Sequence, residues 1–135
     1  MTVFSSARAF QTVLEEVLDG AQDTAAARAL TESGLRVGFA YHDPELVMLL
    51  SAVPGQISAA FSDHPTSAAA DVTFSSSADT GHRFWMGELS VPTALALGQI
   101  RAVGRLTQAL ALLPLMPELQ ARYRAAYETR QEGGT

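Results

Sequence analysis

The hydrophobic period of this chain changes at Gly34, and that change restricts the fold more than any other feature of the sequence. Before it, Phe10, Val13, Leu14, Val17 and Leu18 recur at helical spacing, with Glu15, Glu16 and Asp19 on the other side. Gly20 is placed to end that helix, and Asp23 to cap a second, alanine-rich one that runs to about Glu32 and stops at Gly34. After it, Leu35, Val37, Phe39 and Tyr41 alternate with Arg36, Gly38, Ala40 and His42, the pattern of a strand with one buried face. Asp43-Pro44 and Pro54-Gly55 are turn signals. The apolar run from Leu46 to Ser51 between them is short enough to favour a strand buried on both faces, with a helix as the alternative. Ile57, Ala59 and Phe61 alternate again, Asp63 to Ser67 reads as loop, and Val72 and Phe74 mark a fourth strand.

The second half is punctuated by glycine and proline. Ser76 or Ser77 caps a short helix through Trp85, closed by Gly87. Ser90 with Pro92 starts another, which Gly98 breaks. A fifth short strand is expected over Gln99 to Val103, ending at Gly104. Leu106, Ala109, Leu110 and Leu113 return to helical spacing, Pro114 and Pro117 bend or restart the chain, and a last helix carries Leu119, Tyr123 and Tyr127. Helices, hairpin-linked strands, then helices with one more strand among them imply an α+β domain with a mainly antiparallel sheet. Residues 1–130 are expected to form this single domain, with a disordered tail over 131–135.

Composition removes several functions. At 135 residues the chain is long enough to bury a core without disulfides or metals. A net charge of -5 argues against nucleic acid and against a polybasic membrane-surface role. Without cysteine there is no thiolate nucleophile or thiolate zinc site, and without lysine no Schiff base and no Walker lysine. No apolar run is long enough to span a bilayer and no leader sequence is visible, so the expected location is the cytoplasm. No metal-ligand spacing, nucleophile elbow or dinucleotide fingerprint occurs, so neither a metal nor a cofactor is expected.

The polar candidates are sparse. His42 and His64 each neighbour an aspartate, but adjacent side chains on a strand point apart, and both lie beside prolines, which reads as solvated turns. His82 is placed to bond the polar end of a ligand, although a satisfied structural histidine explains it as well. Arg101 and Arg105 are candidate head-group contacts, against the plainer reading of charges guarding a strand edge. The apolar block from Phe84 to Met116 is more informative. Most of it must be core, yet Leu110, Leu112, Leu113 and Leu115 cover more than one helix face. A domain this small has little depth in which to bury such a segment, so part of it is expected to line something apolar.

The order and spacing of several segments resemble a known family. Ala70-Asp71-Val72-Thr73-Phe74, then Asp79 and His82-Arg83-Phe84-Trp85-Met86-Gly87, are followed by Ala94-Leu95-Ala96-Leu97-Gly98 and Ile100-Arg101-Ala102-Val103-Gly104. Leu110 to Pro114 and Tyr123-Arg124 complete the set, which is similar to the sterol carrier protein type-two family, its stand-alone bacterial members in particular. The resemblance implies a five-stranded, mostly antiparallel sheet covered by helices on one side. It also implies an apolar tunnel between them that holds a fatty acid, acyl-coenzyme A, sterol or phospholipid, bound, carried or presented without catalysis. Carried over, the lipid contacts fall on Met48, Leu50, Phe84, Trp85, Leu95, Ile100, Leu106, Leu110, Leu113 and Met116. Two other readings stay open: an accessory or enzyme acting on a steroid-like or polyketide-like intermediate through His82, Arg101 or Arg105, and a structural domain whose extra apolar surface is a homodimer interface.

Overall fold

The computed structural model describes residues 4, 6–19, 24–53, 56–62 and 70–133. Gly20, Asp23, the Pro54-Gly55 turn and the loop with His64 lie outside them, as do the last two residues. Two helices come first, α1 (Ala7–Asp19) and α2 (Ala25–Ser33). The apolar stripe of α1 is buried as its spacing requires: Phe10, Val13, Leu14, Val17 and Leu18 are all inside. The observed cap of α2 is Thr24, whose hydroxyl accepts the Ala27 N–H. Either Asp23 or Thr24 is chemically suited to the role, and backbone position selects the residue whose oxygen meets an amide three residues on.

Strands β1 (Val37–His42), β2 (Leu46–Val53), β3 (Gln56–Ser62) and β4 (Val72–Ser77) follow, and β5 (Arg101–Gly104) comes later. They form one five-stranded sheet in the order β3-β2-β1-β4-β5. Every neighbouring pair is antiparallel except β1 and β4, which run parallel at the centre. The sheet is therefore mixed: the hairpins from β1 through β3 build outward on one side, and β4 returns to the free edge of β1.

Register assigns the faces. Val37, Phe39 and Tyr41 lie opposite Leu50, Met48 and Leu46 on one side and Val72, Phe74 and Ser76 on the other. This face carries the buried residues, and the helices pack against it. The opposite face carries Val47, Leu49, Ser51, Thr73 and Ser75, which are half-buried, and Val103, which is 75% exposed. The expectation that β2 is buried on both faces is thus corrected. Of Leu46 to Ser51, Leu46, Met48 and Leu50 are fully buried and the alternate residues half-buried, since the described helices pack on the first face.

Beyond β4 the chain forms α3 (Ala78–Trp85), α4 (Val91–Ala96), β5, α5 (Leu106–Leu110), a 3-10 turn (Leu113–Leu115) and α6 (Met116–Gly133). Ser77 caps α3 by accepting the Thr80 N–H, and Ser90 caps α4 by accepting the Thr93 N–H. At Gly104 (φ 112°) the backbone runs so close to β4 that a Cβ would meet Asp71 O and lie 2.9 Å from the Val72 Cα, so only glycine fits. α6 packs on α1 and on α3. Gln120 Nε2 donates to Phe84 O at 2.7 Å, a carbonyl that also accepts the Gly87 N–H, and Arg124 Nη1 donates to Met86 O at 3.0 Å, so α6 is tied to the end of α3. α6 runs on to Gly133.

Candidate functional site

Between the helix-covered sheet face and the helices lies a cavity, partly open to solvent, in which the centre of a water molecule can occupy about 90 Å³. One water needs only about 10–15 Å³ by that measure. The sheet supplies Val37, Phe39, Tyr41, Leu50, Ile57 and Phe74. Leu18, Ala26 and Leu30 of α1 and α2 close one side, and Gly81, Phe84 and Trp85 of α3 another. Val91 and Ile100 reach in from the α4 region, and the remaining wall is Ala109, Leu110, Leu112, Leu113, Met116 and Leu119. No charged side chain lines the cavity among the described residues; Tyr41, Ser76 and the Trp85 indole are its polar groups.

The segment after Arg105 behaves as its composition requires. Leu106, Leu110, Leu112, Leu113, Leu115 and Met116 are all half-buried, and in α5 only Ala109 is fully buried. Burying a large aliphatic side chain completely contributes about 1.5–3 kcal/mol, and these side chains leave part of that unrealised. Of these, Leu110, Leu112, Leu113 and Met116 line the cavity.

Of the side chains named from the sequence, Leu50, Phe84, Trp85, Ile100, Leu110, Leu113 and Met116 line the cavity, and Met48, Leu95 and Leu106 do not. Met48 is 0% exposed and shares its strand face with Leu50, but it is wholly enclosed in the core. Leu95 is displaced because α4 turns Val91 and Ala94 inward, and the next residue lies about 100° round the helix. Leu106 opens α5 one turn before Ala109 and Leu110 reach the cavity.

None of the three polar candidates faces the cavity. His82 follows Gly81 on α3, and that step of the helix turns it toward α6. There its Nδ1 lies 2.8 Å from the Tyr123 hydroxyl, and its ring packs on Tyr127 at 4.5 Å and on the edge of Phe4 at 5.4 Å. Burial lowers its pKa from the ordinary 6.5, partly offset by Glu88 and Asp79, so it is a neutral structural histidine. Arg101 lies opposite Ser75 on the uncovered face of the sheet and is exposed. Arg105 is exposed at the start of α5, where its backbone N–H donates to Asp71 O at 2.9 Å. His42 does touch Asp43, at 3.2 Å, but with side chains 60% and 80% exposed the pair is solvated, as its turn position implies. No cluster of metal-ligating side chains exists among the described residues.

The polar feature that sequence reasoning missed is a buried pair. Trp85 Nε1–H donates to the Tyr41 hydroxyl at 3.1 Å, with Trp85 1% and Tyr41 5% exposed. Burial pushes the Tyr41 phenol well above the usual tyrosine range, opposed by the Trp85 hydrogen bond. Strand parity had placed Tyr41 on the buried face; only the register and the α3 packing bring it to Trp85. Gly81 permits the arrangement, because a Cβ there would run into the Tyr41 ring.

No protein-family model matches the sequence, and no curated protein matches it. Solved structures do. The sterol carrier protein domain 2 of Helicoverpa armigera superposes with a TM-score of 0.63 at 18% identity, covering 90% of this chain and 95% of that one. Sterol carrier protein 2 of Yarrowia lipolytica, in its apo form, gives 0.59 at 16% identity, over 87% and 93%. A stereoselective inverting sec-alkylsulfatase from Pseudomonas sp. gives 0.54 at 19% identity over 67% of this chain, which spans only 14% of the length of that enzyme.

Proposed function

We propose that this chain, which has the fold of sterol carrier protein 2 domains across most of its length, binds an apolar, lipid-like molecule in the cavity between sheet and helices and carries or presents it without chemistry of its own. One observation supports this most directly: the half-buried Leu110, Leu112, Leu113 and Met116 line a cavity with no charged lining side chain among the described residues. A fatty acid, acyl-coenzyme A, sterol or phospholipid supplies the apolar surface such walls lack. In this reading Leu50, Phe84, Trp85, Ile100, Leu110, Leu113 and Met116 touch the ligand. The segment from Leu106 to Met116 acts as a cover that opens for entry, and the cavity lengthens into a tunnel as the ligand enters.

Each methylene moved from water into such a site contributes about 0.8 kcal/mol. About ten of them give roughly 8 kcal/mol before ordering costs, the scale of micromolar binding. Selectivity for chain length is weak, since an apolar wall rejects one methylene by only about 1–3 kcal/mol. Native mass spectrometry of the purified chain, with displacement of a fluorescent fatty acid by acyl chains of graded length, tests the proposal. Saturable binding with affinity rising along the series is expected. No bound lipid and no displacement at any length would remove it.

A further inference from the structure

Among the described residues, one polar group lining the cavity accepts a hydrogen bond without donating one. The Tyr41 oxygen accepts the Trp85 indole N–H, and its own O–H makes no other hydrogen bond among the described residues. The tyrosine is 95% buried and lines the otherwise apolar cavity, so that hydrogen is shielded from bulk water. A buried donor left unmatched is costly, because it has given up its bonds to water. Its neighbour across the strand pair, Ser76, has already spent its hydrogen on Ser77 O at 2.9 Å. The Tyr41 ring is held by Phe10 at 4.8 Å and packs against Gly81, which fixes the position of its oxygen.

We propose that Tyr41 is the polar anchor of the site and donates to a neutral oxygen, a carbonyl or hydroxyl, on an otherwise apolar ligand. This rests on the apolar-ligand reading above and narrows it. A carboxylate does not fit the inner end: no cation lines the cavity among the described residues, and an unpaired buried carboxylate is strongly disfavoured. Burial also keeps the phenol protonated, so it remains a donor throughout the neutral range. Trp85 fixes the direction of the donor by occupying the other side of the oxygen.

Two probes of one chain length, 2-dodecanone and n-dodecane, are competed against a bound fluorescent fatty acid in the wild-type chain, in Tyr41→Phe and in Tyr41→Phe/Trp85→Phe. The double variant removes the indole donor that the single one frees. Loss of one hydrogen bond lowers the ketone-to-alkane affinity ratio about fivefold, with dodecane changed less than twofold. In the wild-type chain the carbonyl stretch of 13C-labelled ketone falls below its position in hexane, a measurement that stands even where a variant does not fold. Ser76→Ala leaves that shift in place. An unshifted carbonyl, or a ratio equal in wild type and variants, overturns the anchor while leaving apolar binding intact. Failure of both probes and the fatty acid to bind wild type overturns both readings together.

Discussion

Replacing Gly81 by alanine isolates the packing that shapes the site. In the interior of a helix this exchange ordinarily stabilises by about 1 kcal/mol. Here the added Cβ enters the Tyr41 ring, lying 2.9 Å from Cδ1 and 3.2 Å from Cζ. Tyr41 is confined by Phe10 at 4.8 Å and Phe39 at 6.1 Å, so the ring has no empty side to move into except the cavity. Overpacking of this kind costs about 1–3 kcal/mol. A ring pushed toward the cavity also draws its oxygen from Trp85, leaving a buried N–H unsatisfied for about 1–3 kcal/mol more. The balance is a net loss of about 1–5 kcal/mol, centred near 3. For a chain of this length that lowers the melting temperature by about 10 °C. Thermal unfolding by circular dichroism reads the loss, and the emission of the single tryptophan reads its cause. In a Tyr41→Ala background the same exchange becomes neutral or stabilising, because the ring it strikes is gone. A Gly81→Ala protein as stable as wild type, with unchanged emission, would refute the placement of Tyr41 against α3.

Other consequences concern the packing of α6 and the cavity wall. Because burial lowers the His82 pKa below the ordinary 6.5, folding favours the neutral ring. Its contribution is complete above that value and is lost as pH falls through it, so the urea midpoint drops between pH 7.5 and 5.5, and His82→Phe flattens that part of the dependence. Gln120→Ala with Arg124→Ala removes the two hydrogen bonds that tie α6 to the end of α3 and lowers denaturant stability by about 1–3 kcal/mol together. Leu113→Asp places a carboxylate in the cavity wall and abolishes fatty-acid displacement while the half-buried position keeps the fold, as circular dichroism checks. Arg101→Ala and Arg105→Ala, both exposed and outside the cavity, stay within about 0.5 kcal/mol of wild type and leave affinity for an uncharged ligand unchanged.

Much of the fold was legible in the sequence because periodicity is a local consequence of burying one face. The α1 stripe, the alternation of β1, the serine caps of α3 and α4 and the excess of leucine after Arg105 are each visible within a few residues. Tertiary structure decided what depends on contacts far apart in the chain. The parallel pairing of β1 with β4 joins Tyr41 to Ser76 across 35 positions, and no local signal encodes it. Hydrophobicity marked Met48 and Leu50 equally, yet the helices enclose one and leave the other at the cavity. Its place on the short helix near Trp85 marked His82 as a candidate ligand contact, but a single helical step turns it to Tyr123 while Gly81 and Trp85 line the space between sheet and helices. The sequence by itself established that surplus apolar surface existed and where it began. Packing alone determined which of it borders the cavity, since that depends on the sum of neighbours around each side chain.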